Sequence, residues 1–391
     1  MIGVEEAKRA MMEQVELLPE DIYPLVEATH HYLSRCPLAS RVDHPPFNCS
    51  AVDGYAFRSD DRTVRRIAFE IAAGEPHRRE LGDGECARIF TGAHLPLNAD
   101  TVVMQEHVVR NGESIILRED GPKKGANVRL RGEQLRMGDI VLHRGSRFTP
   151  PVIGLLASAG YHNVAASRLP IAELVISGSE FAGGTTLDPG RIFSSNDHML
   201  VSALRAEHVV AGATRVADDH AALSSAISAA IGRSDLLITT GGVSVGDHDL
   251  VRPVLETMGA VIHFHNVAQK PGKPMLFATL NGRPVFGLPG NPRAVMVLFW
   301  EYVVPFLRAM QGAKDPWLVT DHLPLAQPLE VKGDRAEFRA AHVHGGRVTL
   351  LRDEGSHMLR SLIDADALAF VPADRRQWKV GDPIEVHYLP R

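Results

Sequence analysis

Apolar residues recur along this chain in two periods, and the change of period divides it into regions. Val4, Ala7, Met11, Val15 and Leu18 follow the spacing of one helical face, which predicts an amphipathic helix over residues 3–18. A second helix is predicted from Asp21 to Ser34, ending before Pro37. The stretch "DHPPFNCSAVDGYAF" then reads as a structured loop. Between residues 64 and 145, short apolar runs alternate with turn residues, as in "CARIFTGAHLP", "ADTVVMQEHVV" and "ESIILRED", the pattern of a small β-rich domain. From Pro150 the pattern changes. "TPPVIGLLASAG" is a helix opened by prolines and closed by glycine. Buried strands ("IAELVIS", "DLLITT", "RPVFGL") then alternate with helices ("SSNDHMLVSALRAEH", "HAALSSAISAAIGRS", "DLVRPVLETMG", "RAVMVLFWEYVVPFLRAM"). That alternation predicts an α/β domain with a parallel sheet covered on both faces. After Pro316 period two returns, with Ile384, Val386 and Tyr388 on one strand face, which predicts a separate C-terminal β domain.

The α/β region carries the candidate chemistry. In "LLITTGGVSVGDHDLV" a buried strand empties into a loop of Gly241, Gly242, Ser244, Asp247 and Asp249. In open α/β sheets the carboxyl edge of the strands is the ligand edge, and glycines let backbone N–H groups approach a phosphate. The loop is neither a Walker A loop nor a dinucleotide fingerprint, because both lack their spacing here. Its aspartates, with Asp219 and with Glu180 of "SGSEF", suit a Mg²⁺ ion that bridges phosphate oxygens, although such an ion takes only one or two carboxylates directly. Asp219 also reads as an ordinary helix N-terminus. "QKPGKP" holds Lys270 and Lys273 in a proline-stiffened loop, a plausible clamp for an oxyanion, and "GLPGNP" sets Pro289 and Pro292 before a long helix. His263 with His265, and His342 with His344, each share a strand face, but no third ligand lies nearby in sequence, so half-exposed strand histidine is the preferred reading over zinc.

Composition narrows the class. The chain has 391 residues, 45% hydrophobic and 23% charged, enough for several cores. A formal net charge of −5 argues against nucleic acid or an acidic membrane surface as the main partner. Three cysteines without a CxxC pair indicate neither a disulfide framework nor structural zinc. The acidic amphipathic N-terminus is not a signal peptide, and "AVMVLFWEYVVPFL" is interrupted by Glu301 and Pro305, so a cytoplasmic protein is expected.

The ordered set "FNCSAVDGYAF", "RIFTGA", "ADTVVMQE", "RGEQ", "TTGGVSVGDHD", "KPGKP", "GLPGNP" and "GSHMLRSL", spread over essentially the whole chain, resembles the molybdopterin molybdenumtransferase family, the molybdenum insertases whose eukaryotic relative is the gephyrin E domain. The resemblance implies a multidomain α/β protein. Its parts would be an elongated linker domain (1–44 and 145–170), a β-rich second domain (45–144), a three-layer molybdopterin-binding α/β domain (171–315) and a C-terminal β-barrel (316–391). It implies insertion of molybdate into adenylyl-molybdopterin with Mg²⁺-dependent release of AMP. It also implies a homodimer whose cleft is shared between the α/β domain of one subunit and the second domain of the other. In that scheme Asp53 and Thr91 reach the cleft from the second domain. Glu180, Asp219, Asp247 and Asp249 serve the metal and the adenylyl phosphate, with Glu180, Asp247 and Asp249 as metal ligands. The backbone at Gly241, Gly242 and Ser244 cradles the pterin phosphate. Lys270 and Lys273 hold molybdate, helped by Arg339 and Ser356, and Pro289 and Pro292 shape the pocket. A molybdopterin adenylyltransferase and recipient molybdoenzymes are the protein partners implied.

Several positions depart from the family pattern. Gln134 replaces an acid in RGED, Asn266 a base before KPGKP, and Asp366 an asparagine; Arg293 and Ala294 replace the VS of GLPGNPVS. A working enzyme is the preferred reading. The alternatives are a pterin carrier or chaperone without turnover, and an insertase for tungstate. A scaffold ranks last, since no long disordered segment is visible.

Overall fold

Buried strands alternating with helices build a six-stranded sheet that is covered on both faces. The structure is a computed structural model and describes all residues except 34, 61, 76–78, 119–120, 183, 243–249, 353–354 and 391. In chain order the central domain contains β1 (Ile171–Ser177), α1 (Asn196–Ala206), β2 (Val210–Val216), α2 (His220–Ile231), β3 (Leu236–Thr240), α3 (Val251–Thr257), β4 (Val261–His265), β5 (Leu276–Leu280) and β6 (Arg283–Leu288). The sheet order is β2-β1-β3-β6-β5-β4. The first four strands are parallel, whereas β5 and β4 run antiparallel to their neighbours. The expectation of a parallel sheet therefore holds for β2, β1, β3 and β6, and β5 is the strand that interrupts it. The reversal follows from Asn281-Gly282, whose left-handed φ values of 52° and 75° make a tight hairpin between β5 and β6.

Both faces of the sheet are covered. Ala172, Leu174 and Ile176 of β1 face a core shared with Leu200 and Leu204 of α1, while Val175 and Leu237 face Leu223 and Ile227 of α2 and Val251 and Val254 of α3. Each such fully buried aliphatic side chain contributes roughly 1.5–3 kcal/mol of transfer free energy. The long apolar segment after β6 is helical over Pro292–Leu298 and Val304–Met310, with a π turn at Phe299–Val303 between them. Pro305 has no N–H to give to the Glu301 carbonyl one turn back, and the π turn absorbs the resulting shift of register.

The N-terminal helix spans Val4–Met12, shorter than its apolar spacing predicted, and Val4, Ala7 and Met11 are buried in the core of the α/β domain. The helix expected over 21–34 is absent. Glu20–Pro24 is a strand paired antiparallel with Asn163–Ser167, followed by one 3₁₀ turn at Leu25–Ala28. Pro24 removes a donor and pushes Tyr23 toward extended backbone, which favours the strand. Residues 54–117 form a mixed six-stranded sheet with an apolar cluster on each face. The C-terminal region forms a second β unit. There Ala336–His344 pairs with Ala367–Val371, and Ile384 and Val386 sit in its core.

Candidate functional site

β1, β3 and β6 are neighbours, and their carboxyl ends open into a cleft of ≈ 790 Å³. Its floor is Ser177, Thr240, Gly241 and Gly242, and one wall is the loop from Pro289 to Pro292. Gly241 cannot be replaced without moving the backbone. Its φ is 85°, and an added Cβ would stand 2.3 Å from the Ser177 carbonyl oxygen. The glycines therefore let β3 turn directly under the end of β1. Gly241 N–H donates to the Leu288 carbonyl at 3.2 Å, which ties this turn to β6. Asp218 braces the other side: it accepts from Ser177 Oγ at 2.5 Å and from Ser179 N–H at 3.1 Å.

The opposite wall is cationic. Lys270, Lys273 and Arg335 line the cleft, against one carboxylate, Glu180, among the described lining residues. Lys270 Nζ lies 3.4 Å from Glu337 Oε1, and half of its side chain remains exposed (48%). Lys273 makes no ion pair among the described residues. An anion entering here meets Lys273, with no ion pair among the described residues, and Lys270, whose contact to Glu337 is long and half exposed. Ser356, from the C-terminal unit, seats the long helix. Its carbonyl accepts from Arg293 N–H at 3.1 Å and Ala294 N–H at 3.3 Å, and its Oγ accepts from Asn291 Nδ2 at 2.9 Å.

The expected site residues fall into five groups. Glu180, Gly241, Gly242, Lys270, Lys273, Pro289, Pro292 and Ser356 come together around the cleft. Arg339 lies outside the lining and donates to Glu337 Oε2 at 2.8 Å, the carboxylate that Lys270 shares. Asp219 is the N-cap of α2, accepting from Ala222 N–H at 2.9 Å, and does not line the cleft. Asp53 and Thr91 belong to the β-rich sheet region, also outside this lining. The Thr91 N–H and hydroxyl both donate to Asp53 Oδ1 at 2.8 Å, and the N–H first, then the hydroxyl, hold that carboxyl below its ordinary range. Ser244, Asp247 and Asp249 lie outside the described residues. Among the described residues no group of three or more His, Cys, Asp or Glu gathers as a metal site. Glu180 is the one carboxylate among the described lining residues, and a single carboxylate donor suits an ion such as Mg²⁺ that keeps most of its shell as water.

Sequence reasoning missed Asp218, Arg335 and Gln269. Arg335 precedes the strand Ala336–His344 and donates to the Gln269 carbonyl at 3.2 Å; its signal was a third basic side chain beside a strand start. The departures from the family pattern have local accounts. Asn266 takes φ 71°, where asparagine is tolerated better than most residues. Asp366 accepts from Val343 N–H at 2.9 Å and pairs with His342 at 2.5 Å. Arg293 and Ala294 are buried beneath Ser356, and Gln134 is exposed, its N–H donating to the His44 carbonyl at 3.1 Å.

Comparison with known proteins covers the whole chain. Residues 2–160 match the MoeA N-terminal region (domain I and II), residues 175–309 the probable molybdopterin binding domain, and residues 322–389 the MoeA C-terminal region (domain IV). A molybdopterin molybdenumtransferase of Staphylococcus epidermidis is 37% identical, covering 98% of this chain and 95% of the relative. One of Haemophilus influenzae is 30% identical over 99% and 98%. The crystal structure of the molybdopterin biosynthesis moeA protein from Pyrococcus horikoshii superposes with a TM-score of 0.84 at 25% identity, covering 100% of both chains.

Proposed function

Because this chain belongs to the MoeA family of molybdopterin molybdenumtransferases, we propose that it is the transferase that inserts molybdenum into molybdopterin during molybdenum cofactor biosynthesis. The observation that carries this reading is the cleft itself, which sets a glycine turn suited to a phosphate opposite Lys270, Lys273 and Arg335. Adenylyl-molybdopterin enters with its phosphates over the backbone of Gly241 and Gly242, with Ser244 next in the loop. Molybdate is held by Lys270 and Lys273. These cations offset the repulsion as two anions are brought into contact, and holding both reactants in one cleft supplies much of the rate. Pro289 and Pro292 fix the wall, and Ser356 keeps the long helix seated behind it. Glu180, with Asp247 and Asp249, would hold Mg²⁺, which supplies charge neutralisation at the phosphates when bound. Hydrolysis of the pyrophosphate link then releases AMP with the molybdenum-loaded pterin.

Asp53 and Thr91 are absent from the cleft of their own chain, which supports a shared site: in a homodimer they would come from the partner's β-rich domain. The low pKa direction of Asp53 keeps it ionised there, as an acceptor toward the substrate. An adenylyltransferase that supplies the substrate and molybdoenzymes that receive the product are the partners this chemistry requires. No described helix is long and apolar enough to cross a membrane, and we place the reaction in the cytoplasm.

Purified protein loaded with adenylyl-molybdopterin and Mg²⁺ tests the reading. AMP should appear when molybdate is added and not in its absence. Tight pterin binding with no AMP from molybdate would overturn it in favour of a carrier, and AMP with tungstate alone would reassign the oxyanion.

A further inference from the structure

Behind the cleft, the loop that carries the two lysines is seated on the long helix by contacts that the proposed chemistry does not use. Gln269, immediately before Lys270, is fully buried. Its Nε2 donates to the Pro271 carbonyl at 2.9 Å. That carbonyl can only accept, so the amide orientation is fixed and Oε1 faces Tyr302, whose phenol donates to it. Tyr302 is also fully buried. Burial first, then the charges of Glu301 and Glu5, push its phenol well above the ordinary tyrosine range, so it stays a donor. On the loop's far side the Gln269 carbonyl accepts from Arg335 Nη1 at 3.2 Å, and Gln269 pairs with Ala336 of the C-terminal unit. One residue thus joins the long helix and the lysine loop through its side chain and the C-terminal unit through its backbone.

A second contact points the same way. Gly272, between the lysines, has φ 92°, and an added Cβ would fall 2.8 Å from Leu298 Cγ, so the loop lies directly on the helix. Tyr302 stands in the π turn, where its neighbour Glu301 is held by Lys8 at 2.8 Å and by His387 at 2.8 Å. The turn that offers Tyr302 to the loop is therefore anchored from both the N-terminal helix and the C-terminal unit.

We propose that Tyr302 and Gln269 are positioning residues for the lysine loop: they hold Lys270 and Lys273 at the spacing that binds the oxyanion, without touching it. The inference rests on the reading of this cleft as an oxyanion site. A side-chain hydroxyl beneath a loop matters here because two ammonium groups repel, and a loop free to relax would separate them and lose the shared anion. A merely structural hydrogen bond would weaken the fold without selecting among ligands.

The test is calorimetric titration of sodium molybdate, at constant ionic strength, into the full chain saturated with adenylyl-molybdopterin in a buffer without divalent metal. Tyr302→Phe, which removes one oxygen, is expected to weaken molybdate binding by about tenfold, the scale of one well-placed hydrogen bond. Gln269→Met, which removes both bonds at similar volume, is expected to weaken it at least as much. Adenylyl-molybdopterin affinity should stay within about twofold in both. With Mg²⁺ restored, the KM for molybdate should rise by the same factor while kcat at saturating molybdate is kept. Folded variants that bind molybdate as the native chain does would overturn the proposal. So would equal losses for molybdate and pterin, which mark general loosening of the cleft. If one variant fails to fold, the other decides. A native chain that binds molybdate but releases no AMP sinks the transferase reading and leaves this inference to the titration. A native chain that binds no molybdate sinks both.

Discussion

Burial pushes the Cys86 thiol up to about 12, with Arg65 opposing and Glu85 assisting, and burial also raises Cys49. Cys36 is exposed. Thiolate is the nucleophile, so a thiol reagent near pH 8 should modify one cysteine per native chain, at Cys36, and all three after unfolding. Rapid modification of three thiols in the native protein would contradict the packing of the β-rich sheet. At this scale the readable residues were those whose type already dictates geometry. Gly241 is required by a left-handed φ and a carbonyl 2.3 Å from any Cβ, and its place after a buried strand was visible in the sequence. Lys270 and Lys273 were visible because prolines frame them. Asp219 showed its ambiguity in advance, and its carboxylate caps α2. Gln269 and Arg335 were not visible, since an amide and an arginine gain meaning only from the partners that folding gives them.

The π turn shows what an element can hide. Its residues read as part of one long helix with Glu301 as a break in the apolar run, yet Glu301 is 1% exposed and bonded to both Lys8 and His387. Burial alone raises its pKa; the His387 hydrogen bond and the Lys8 charge outweigh this, so the carboxyl titrates below its ordinary range. A depressed folded pKa means that this stabilisation is complete above the unfolded value of about 4.3 and is lost as pH falls through the folded one. Urea unfolding of the native chain should therefore lose stability below about pH 4.3 more steeply than Glu301→Gln, which has no such proton to take up. At neutral pH, Lys8→Met should destabilise the chain by less than the roughly 3–5 kcal/mol of a wholly unpaired buried charge, because His387 still pairs with Glu301. Parallel pH curves for the native chain and Glu301→Gln would refute this. Element boundaries were least readable where proline intervened. Tyr23-Pro24 turned a predicted helix into a strand, and Asn281-Gly282 reversed the sheet by a hairpin signal that a βα reading overlooked.

For the whole molecule, strand and helix alternation sufficed to foresee the α/β core, because hydrophobic period directly reports which faces are buried, and the cleft opens at the carboxyl edge of its strands. The assembly is another matter: the residue pattern around Asp53 and Thr91 carries no sign of a shared cleft, which the family resemblance alone implies. A shared site predicts complementation. Assayed at low molybdate, Asp53→Ala and the double variant Lys270→Ala/Lys273→Ala should each be inactive alone, yet regain about a quarter of native activity after mixing and subunit exchange, because half the dimers are mixed and each has one intact cleft. No recovery despite exchange would put both sets of residues in one chain's site or remove Asp53 from it. The most direct test of the central claim measures AMP released and molybdenum bound to the pterin dithiolene in the same sample after molybdate is added. The account predicts one AMP for each molybdenum incorporated, both lost in the double lysine variant at low molybdate. AMP formed without molybdenum transfer, or molybdenum acquired without AMP, would contradict it.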